Sequence, residues 1–119
     1  MKRVQELDVF KKAYAVSLEV HAVSLKFPKY EQYHGLADQM RRASKGICAN
    51  LAEGFGRKSI SSADFKRFIV MAIGSADEMQ VWLRYCQDLG YTPPVQSQAW
   101  NRSYQEIAKM LSGLHKNWT

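Results

Sequence analysis

The fold is decided by one short stretch of the chain, Asn50-Leu51-Ala52-Glu53-Gly54-Phe55-Gly56-Arg57-Lys58. Asn50 and Glu53 stand at helical spacing within a run that is otherwise apolar or small, and two glycines and two cations follow. The glycines favour C-terminal capping conformations that other residues resist, so they predict the end of a helix. We interpret Asn50 as a buried amide bonded to neighbouring backbone, and Glu53 as the ion-pair partner of a cation such as Arg57. These roles are structural rather than catalytic.

Four helices are predicted outward from this stretch. The helix that ends in it begins near residue 35, and an earlier helix covers residues 6–27 and stops before Pro28. The third helix covers residues 62–89, with Ser61 and Asp64 as a capping box. The fourth opens with Thr92 as its N-cap and proline in its first turn. No segment alternates with period two, so the sequence predicts an all-α fold. Four long helices with short links indicate one domain, residues 1–119, forming an antiparallel up-down-up-down four-helix bundle.

Apolar residues at three- and four-residue steps predict the core of the last three helices. In the second helix the core stripe consists of Leu36, Met40, Ala43, Ile47 and Leu51. In the third it consists of Phe65, Phe68, Ile69, Ala72, Ala76, Met79, Leu83 and Cys86. In the fourth it consists of Trp100, Tyr104, Ile107, Leu111, Leu114 and Trp118. Gly46, inside the second helix, predicts the close approach of a neighbouring helix.

The first helix carries two apolar stripes, where an ordinary surface helix has one. One stripe is formed by Leu7, Phe10, Tyr14, Leu18, His21 and Leu25. The second, roughly opposite, is formed by Val9, Val16, Val20, Val23 and Phe27. We assign the second stripe to contact with another subunit. Val70, Val81 and Tyr85 lie outside the core arc of the third helix and are assigned to the same contact. The sequence therefore predicts a homo-oligomer.

Residue patterns for catalysis, metals and membranes are missing from the sequence. None of the three histidines has a carboxylate three residues before it, as dinuclear bundle sites require. Cys48 and Cys86 fall within helical patterns and are interpreted as buried free thiols, rather than as a disulfide or a metal site. There is no phosphate-binding loop, and the longest apolar run, residues 68–73, is far shorter than a membrane span. We therefore expect a cytoplasmic protein that is not an enzyme and uses no metal, cofactor or small-molecule substrate.

The positive charge is concentrated in the middle of the sequence. The formal net charge is +6, and residues 41–67 hold seven cations and two acids, a net of +5. These cations are Arg41, Arg42, Lys45, Arg57, Lys58, Lys66 and Arg67. Clustered cations suit polyanions, because neutralising phosphates needs little else. The favoured interpretation is binding of RNA or DNA backbone, strengthened where a ring places several copies of the patch together. A scaffold that docks an acidic protein is the alternative.

The chain resembles a known family. It is similar to bacterial four-helix-bundle proteins encoded within intervening sequences of 23S ribosomal RNA genes, a family that includes the accessory variability protein of diversity-generating retroelements. The resemblance rests on Glu6-Leu7-Asp8-Val9-Phe10-Lys11-Lys12-Ala13, Gln39-Met40-Arg41-Arg42-Ala43-Ser44 and, above all, residues 50–57. It implies an antiparallel bundle that assembles as a ring, typically a homopentamer. It also implies a nucleic-acid-associated role for the retroelement members, which partner a reverse transcriptase, and it brings no catalytic residues.

Overall fold

The structure, a computed structural model, describes residues 3–118 and is entirely helical over that range. Helix α1 covers Asp8–Ser24, α2 Leu36–Phe55, α3 Ser62–Asp88 and α4 Pro94–Asn117, and short 3₁₀ turns cover Val4–Glu6 and Lys29–Glu31. Helices α1 and α3 both pack against α2 and α4, whereas no described Cα atom of α1 lies within 8 Å of one in α3. Helices α1 and α3 are thus diagonal to each other in an antiparallel four-helix bundle. The predicted fold class is confirmed.

The two ends of the bundle hold different connections. At one end the α2–α3 link lies beside the start of α1 and the end of α4, and the rings of Phe65 and Trp118 are 4.8 Å apart there. We call this the link end. At the other end, the connector after α1 meets the α3–α4 turn, where the rings of Phe27 and Tyr91 are 5.0 Å apart. We call this the connector end.

The core is formed by the predicted stripes of α2, α3 and α4. Every core residue predicted for α2 and α3 is buried, as are the first four predicted for α4. Leu114 and Trp118 pack on the core while partly exposed. Inside the core, the Sγ atom of Cys86 lies 3.2 Å from the Sδ atom of Met40 and so joins α3 to α2. The periodicity thus predicted the core faces of these three helices.

In α1 the structure buries the second predicted stripe in the core and exposes part of the first, of which Leu7 is buried and Phe10 packs against the core. Four residues of the stripe that we assigned to a subunit contact are buried inside the single chain: Val9, Val16, Val20 and Phe27. Val23 of the same stripe packs against the core. They are therefore unavailable for contact with another subunit, and that assignment is wrong. The other stripe leaves Tyr14, Leu18 and Leu25 more than half exposed.

The helix ends agree with the sequence at some positions and differ at others. Ser61 caps α3, since its Oγ atom accepts a hydrogen bond from the Asp64 amide at 3.1 Å. Thr92 does not cap α4, because Pro93 occupies the N-cap position and Thr92 is buried in a hydrogen bond with Ser97. The predicted start of the first helix is a separate 3₁₀ turn, and extended Leu7 divides it from α1.

The helix ends at the deciding stretch as predicted, but neither of its glycines adopts the predicted capping conformation. Gly54 lies inside α2 and Gly56 at its C-cap has φ of −64°, so neither adopts a left-handed capping conformation. A Cβ atom on Gly54 would lie 2.6 Å from the Cβ atom of Phe68, so this glycine allows α2 and α3 to approach closely. The close approach predicted at Gly46 is present, since a Cβ atom there would lie 3.2 Å from Ser75 Oγ.

Candidate nucleic-acid interface

At the connector end, the predicted cations are engaged within the chain. Arg41 donates from Nη1 to Ser24 Oγ at 2.9 Å and from Nη2 to the carbonyl of Gln32 at 3.1 Å. Arg42 forms an ion pair with Asp38 at 3.1 Å. The Nζ atom of Lys45 lies 3.0 Å from His21 Nδ1. Arg41 is therefore a structural link between α2 and the end of α1, and its guanidinium is occupied.

At the link end, two arginines share one carboxylate. Arg57 contacts Asp64 Oδ2 at 3.2 Å and Arg67 contacts Asp64 Oδ1 at 3.1 Å. Arg57 also pairs with Glu53 at 3.2 Å, which is the partner that the sequence suggested. Hydrogen bonds from Arg57 first and Arg67 second hold the pKa of Asp64 below its usual value. Two cations and two acids thus cancel locally.

The arginine pair also brackets an aromatic ring. The guanidinium carbons of Arg57 and Arg67 lie 5.1 and 4.6 Å from the ring centroid of Phe68. Lys58 places its Nζ atom 4.7 Å from the ring of Phe55. These cation–π contacts orient the three side chains on the surface of the link. Among the described residues, no acid forms an ion pair with Lys58 or Lys66.

The seven predicted cations do not form one patch in space. Arg57 lies just beyond the end of α2, and the fourteen residues of α2 that follow Arg41 span about 21 Å along the helix. Arg41, Arg42 and Lys45 consequently lie toward the connector end, and the other four lie at the link end. The sequence predicted that these cations share one basic surface, and that prediction is wrong because they divide between the two ends of the bundle.

The excess of positive charge belongs to the link-end half of the bundle. Dividing each helix at its midpoint assigns residues 3–16, 46–75 and 106–118 to that half. It contains nine Lys and Arg residues and five Asp and Glu residues, a net of +4. The connector-end half, residues 17–45 and 76–105, contains seven and six, a net of +1. Folding thus concentrates the charge at one end of the molecule.

Helix α4 carries a row of cations that the sequence analysis did not single out. Arg102, Lys109 and Lys116 follow one another at seven-residue spacing, are exposed, and form no ion pair with a described residue. Seven residues are nearly two helical turns, so the three side chains stand on one line about 10.5 Å apart. The nearest acid in sequence, Glu106, pairs instead with Lys12 of α1 at 3.3 Å. The heptad spacing was the available signal, but these cations are far apart in the sequence.

Lys66 extends this row across the neighbouring helix. The contact between Phe65 and Trp118 places the first turn of α3 beside the last turn of α4. Lys66 follows Phe65, and Lys116 lies two residues before Trp118, so both lysines belong to the same end of the same helix pair. We call Lys66, Arg102, Lys109 and Lys116 the α3–α4 basic surface.

The other polar residues of interest form no reactive cluster. Asn50 is half-buried, and its Nδ2 atom donates to the carbonyl of Gly46 in its own helix at 2.9 Å. Burial raises the pKa of Cys48 to about 11 and that of Cys86 to about 12, so neither thiol ionises near neutral pH. Within residues 3–118, no three His, Cys, Asp or Glu side chains group as a metal site. No helix in this range has the length and hydrophobicity needed to span a membrane.

The fold and surface together define a four-helix bundle with one strongly basic end. The model of the family described as "23S rRNA-intervening sequence protein" matches residues 5–113. The chain belongs to this family. A crystal structure of a protein of unknown function from the S23 ribosomal protein family of Bacteroides thetaiotaomicron VPI-5482 is similar, with a TM-score of 0.80. It is 23% identical, and the match covers 92% of this chain and 96% of that one, so the likeness shows the fold alone. No curated protein matches the sequence significantly.

Proposed function

We propose that this protein is a non-catalytic, nucleic-acid-associated protein that binds RNA or DNA backbone as a homo-oligomeric ring, most simply a pentamer. The observation that carries the proposal is the α3–α4 basic surface, whose cations have no acidic partner among the described residues. Lysine and arginine that are not neutralised within the protein can neutralise phosphates and release their counterions. The proposal thus moves the contact away from Arg41, which is occupied, toward Lys66, Lys109 and Lys116.

The chemistry of this surface predicts binding without sequence preference. A row of ammonium and guanidinium groups about 10.5 Å apart contacts backbone phosphates and does not read base edges. Lys58, which forms no ion pair with a described residue, lies at the same end and adds to the local potential. The family description refers to an intervening sequence of 23S rRNA, so a structured RNA is the first probe to use.

The test compares two double charge reversals. K109E/K116E alters the α3–α4 basic surface, and K29E/R42E makes the same change in net charge at the connector end, where both residues are exposed. Fluorescence anisotropy with an RNA hairpin at about 50 mM salt should show at least a roughly tenfold loss of affinity for K109E/K116E. The control should bind nearly as well as the unchanged protein. Circular dichroism verifies that both variants keep their helices.

Two results would contradict the proposal. If neither an RNA hairpin nor a DNA duplex binds the unchanged protein at low salt, the protein does not act on nucleic acid through this surface. If both variants lose affinity equally, binding follows total charge, and the α3–α4 basic surface has no special role.

A further inference from the structure

Two exposed apolar stripes lie on the outside of the bundle. The α1 stripe consists of Tyr14, Leu18 and Leu25, which are 52%, 54% and 59% exposed. The α3 stripe consists of Val70, Val81 and Tyr85, which are 54%, 51% and 52% exposed. Large apolar side chains at such exposure, aligned along a helix, mark contact surfaces rather than scattered surface residues.

Each stripe lies on the outer side of its helix. Leu18 and the buried Val20 are two residues apart, which is about 200° around the helix, so they face opposite sides. Val81 and the buried Leu83 have the same relation in α3. Because α1 and α3 are diagonal in the bundle, the two stripes lie on different sides of the protomer.

We propose that the α1 stripe of one protomer packs on the α3 stripe of the next, so that a second copy of this chain is the partner of both. This inference rests on the oligomeric ring of the proposed function and assigns its contact. Two different surfaces on one protomer form a heterologous contact, which closes into a ring when the rotation per subunit allows it. The stripes have similar lengths, about 16 Å for residues 14–25 and about 22 Å for residues 70–85.

The charges beside the stripes are complementary. Exposed Lys11 and Lys26 lie near the two ends of the α1 stripe. Asp77 and Glu78, both exposed, lie beside the α3 stripe, where Asp88 is already paired with Arg84 at 3.2 Å. Opposite charges at the rim of an apolar contact fix its register and disfavour contact of a stripe with its own copy.

The α3 stripe also borders a depression that can receive side chains. An open groove of about 760 Å³ runs along the α3–α4 surface and is lined by Asp77, Gln80, Val81, Arg84, Tyr85, Asp88 and Asn101. The buried Oδ1 atom of Asn101 has no hydrogen-bond partner among the described residues. A neighbouring α1 that seats Leu18 or Tyr14 beside Val81 would cover this groove.

This contact leaves the outward faces of α2 and α4 uncovered. On the α2 side, Arg42 pairs with Asp38, and Arg57, just after α2, pairs with Glu53, so these charges cancel, while exposed Lys45 contacts His21. Helix α4 presents Arg102, Lys109 and Lys116, which do not cancel. Since every protomer of a ring is equivalent, all copies of the α4 row face the same side of the ring.

The first experiment uses two variants that each destroy one stripe, Leu18→Glu and Val81→Glu. Both positions are exposed in the single chain, so each variant should keep its helical circular dichroism spectrum and its unfolding transition. Each should sediment as a monomer in analytical ultracentrifugation, where the unchanged protein sediments as an oligomer. Mixed together, they should form a one-to-one heterodimer, because Leu18→Glu retains a sound α3 stripe and Val81→Glu a sound α1 stripe.

The second experiment captures the contact covalently with a short bismaleimide crosslinker. The double variant L18C/V81C should give a ladder of linked protomers at neutral pH, while L18C alone and V81C alone should give none. The unchanged protein is the control, because its thiols have pKa values of about 11 and 12 and remain protonated.

The inference is overturned by a monomeric unchanged protein, by Val81→Glu or Leu18→Glu that still assembles, or by L18C alone that links to itself. A mixture that stays monomeric while the double variant gives no ladder overturns it as well. A monomeric unchanged protein would also remove the ring from the proposed function. Phosphate binding by the α3–α4 basic surface is tested separately by anisotropy, because no nucleic acid is present in either experiment here.

Discussion

At Gly54, the backbone of α2 lies against two aromatic rings of α3. A Cβ atom there would lie 2.6 Å from Phe68 Cβ and 3.1 Å from Phe65 Cδ1. Gly54→Ala should therefore lower the free energy of unfolding by about 1–3 kcal/mol, as overpacking typically does. Urea denaturation followed by circular dichroism measures the change.

Gly113→Ala is the matched control, because a Cβ atom on Gly113 of α4 would meet nothing within 4 Å. Alanine is the better helix former, so this variant should gain up to about 1 kcal/mol. If the two variants change stability by similar amounts, Gly54 does not serve close packing of α2 against α3, and its presence in the deciding stretch has another cause.

At the scale of the elements, Arg41 joins α2 to the end of α1. Arg41 donates to Ser24 Oγ and to the carbonyl of Gln32. In the same network, Gln32 Nε2 donates to the carbonyls of Ser24 and Phe27 at 2.9 and 3.0 Å. Arg41→Ala removes the donors to Ser24 Oγ and to the Gln32 carbonyl, of which Ser24 Oγ keeps its bond to the His21 carbonyl, and should cost about 1–3 kcal/mol of unfolding free energy. Thermal unfolding should show a correspondingly lower midpoint.

Arg42→Ala tests whether this cost comes from the network or only from lost charge. Arg42 is the next residue and has one exposed ion pair, with Asp38, so its removal should cost about 0.3–0.5 kcal/mol. Equal losses from the two variants would show that Arg41 contributes as a surface charge alone.

The helices and their core stripes could be predicted because apolar periodicity reports burial directly. The sequence could not show which face of α1 is buried in the core, because both faces are apolar. The buried face also contains the small residues Ala13 and Ser17, which weaken its hydrophobic pattern. Gly54 was misread because helix termination and close packing favour the same residue. The α4 row was missed because proximity in sequence is a poor guide to proximity on a bundle whose helices run antiparallel.

At the scale of the whole molecule, assembly and charge should act together. If the ring aligns the α4 rows, one nucleic acid meets several copies of Arg102, Lys109 and Lys116 at once. The number of phosphates neutralised sets the slope of log affinity against log salt concentration, at about −0.9 for each contact with duplex DNA. The unchanged protein should therefore show a steeper slope than monomeric Leu18→Glu, although that substitution leaves the α4 row untouched.

The comparison needs a third protein in which assembly is intact and the row is not. K109E/K116E should sediment as the unchanged protein does, because neither lysine belongs to the α1 or α3 stripe, yet its salt slope should be as shallow as that of Leu18→Glu, or shallower. A slope that stays the same in Leu18→Glu would mean that one protomer makes all the phosphate contacts. The ring would then serve a purpose other than summing charge, and the basic end of the single bundle would be the complete binding unit.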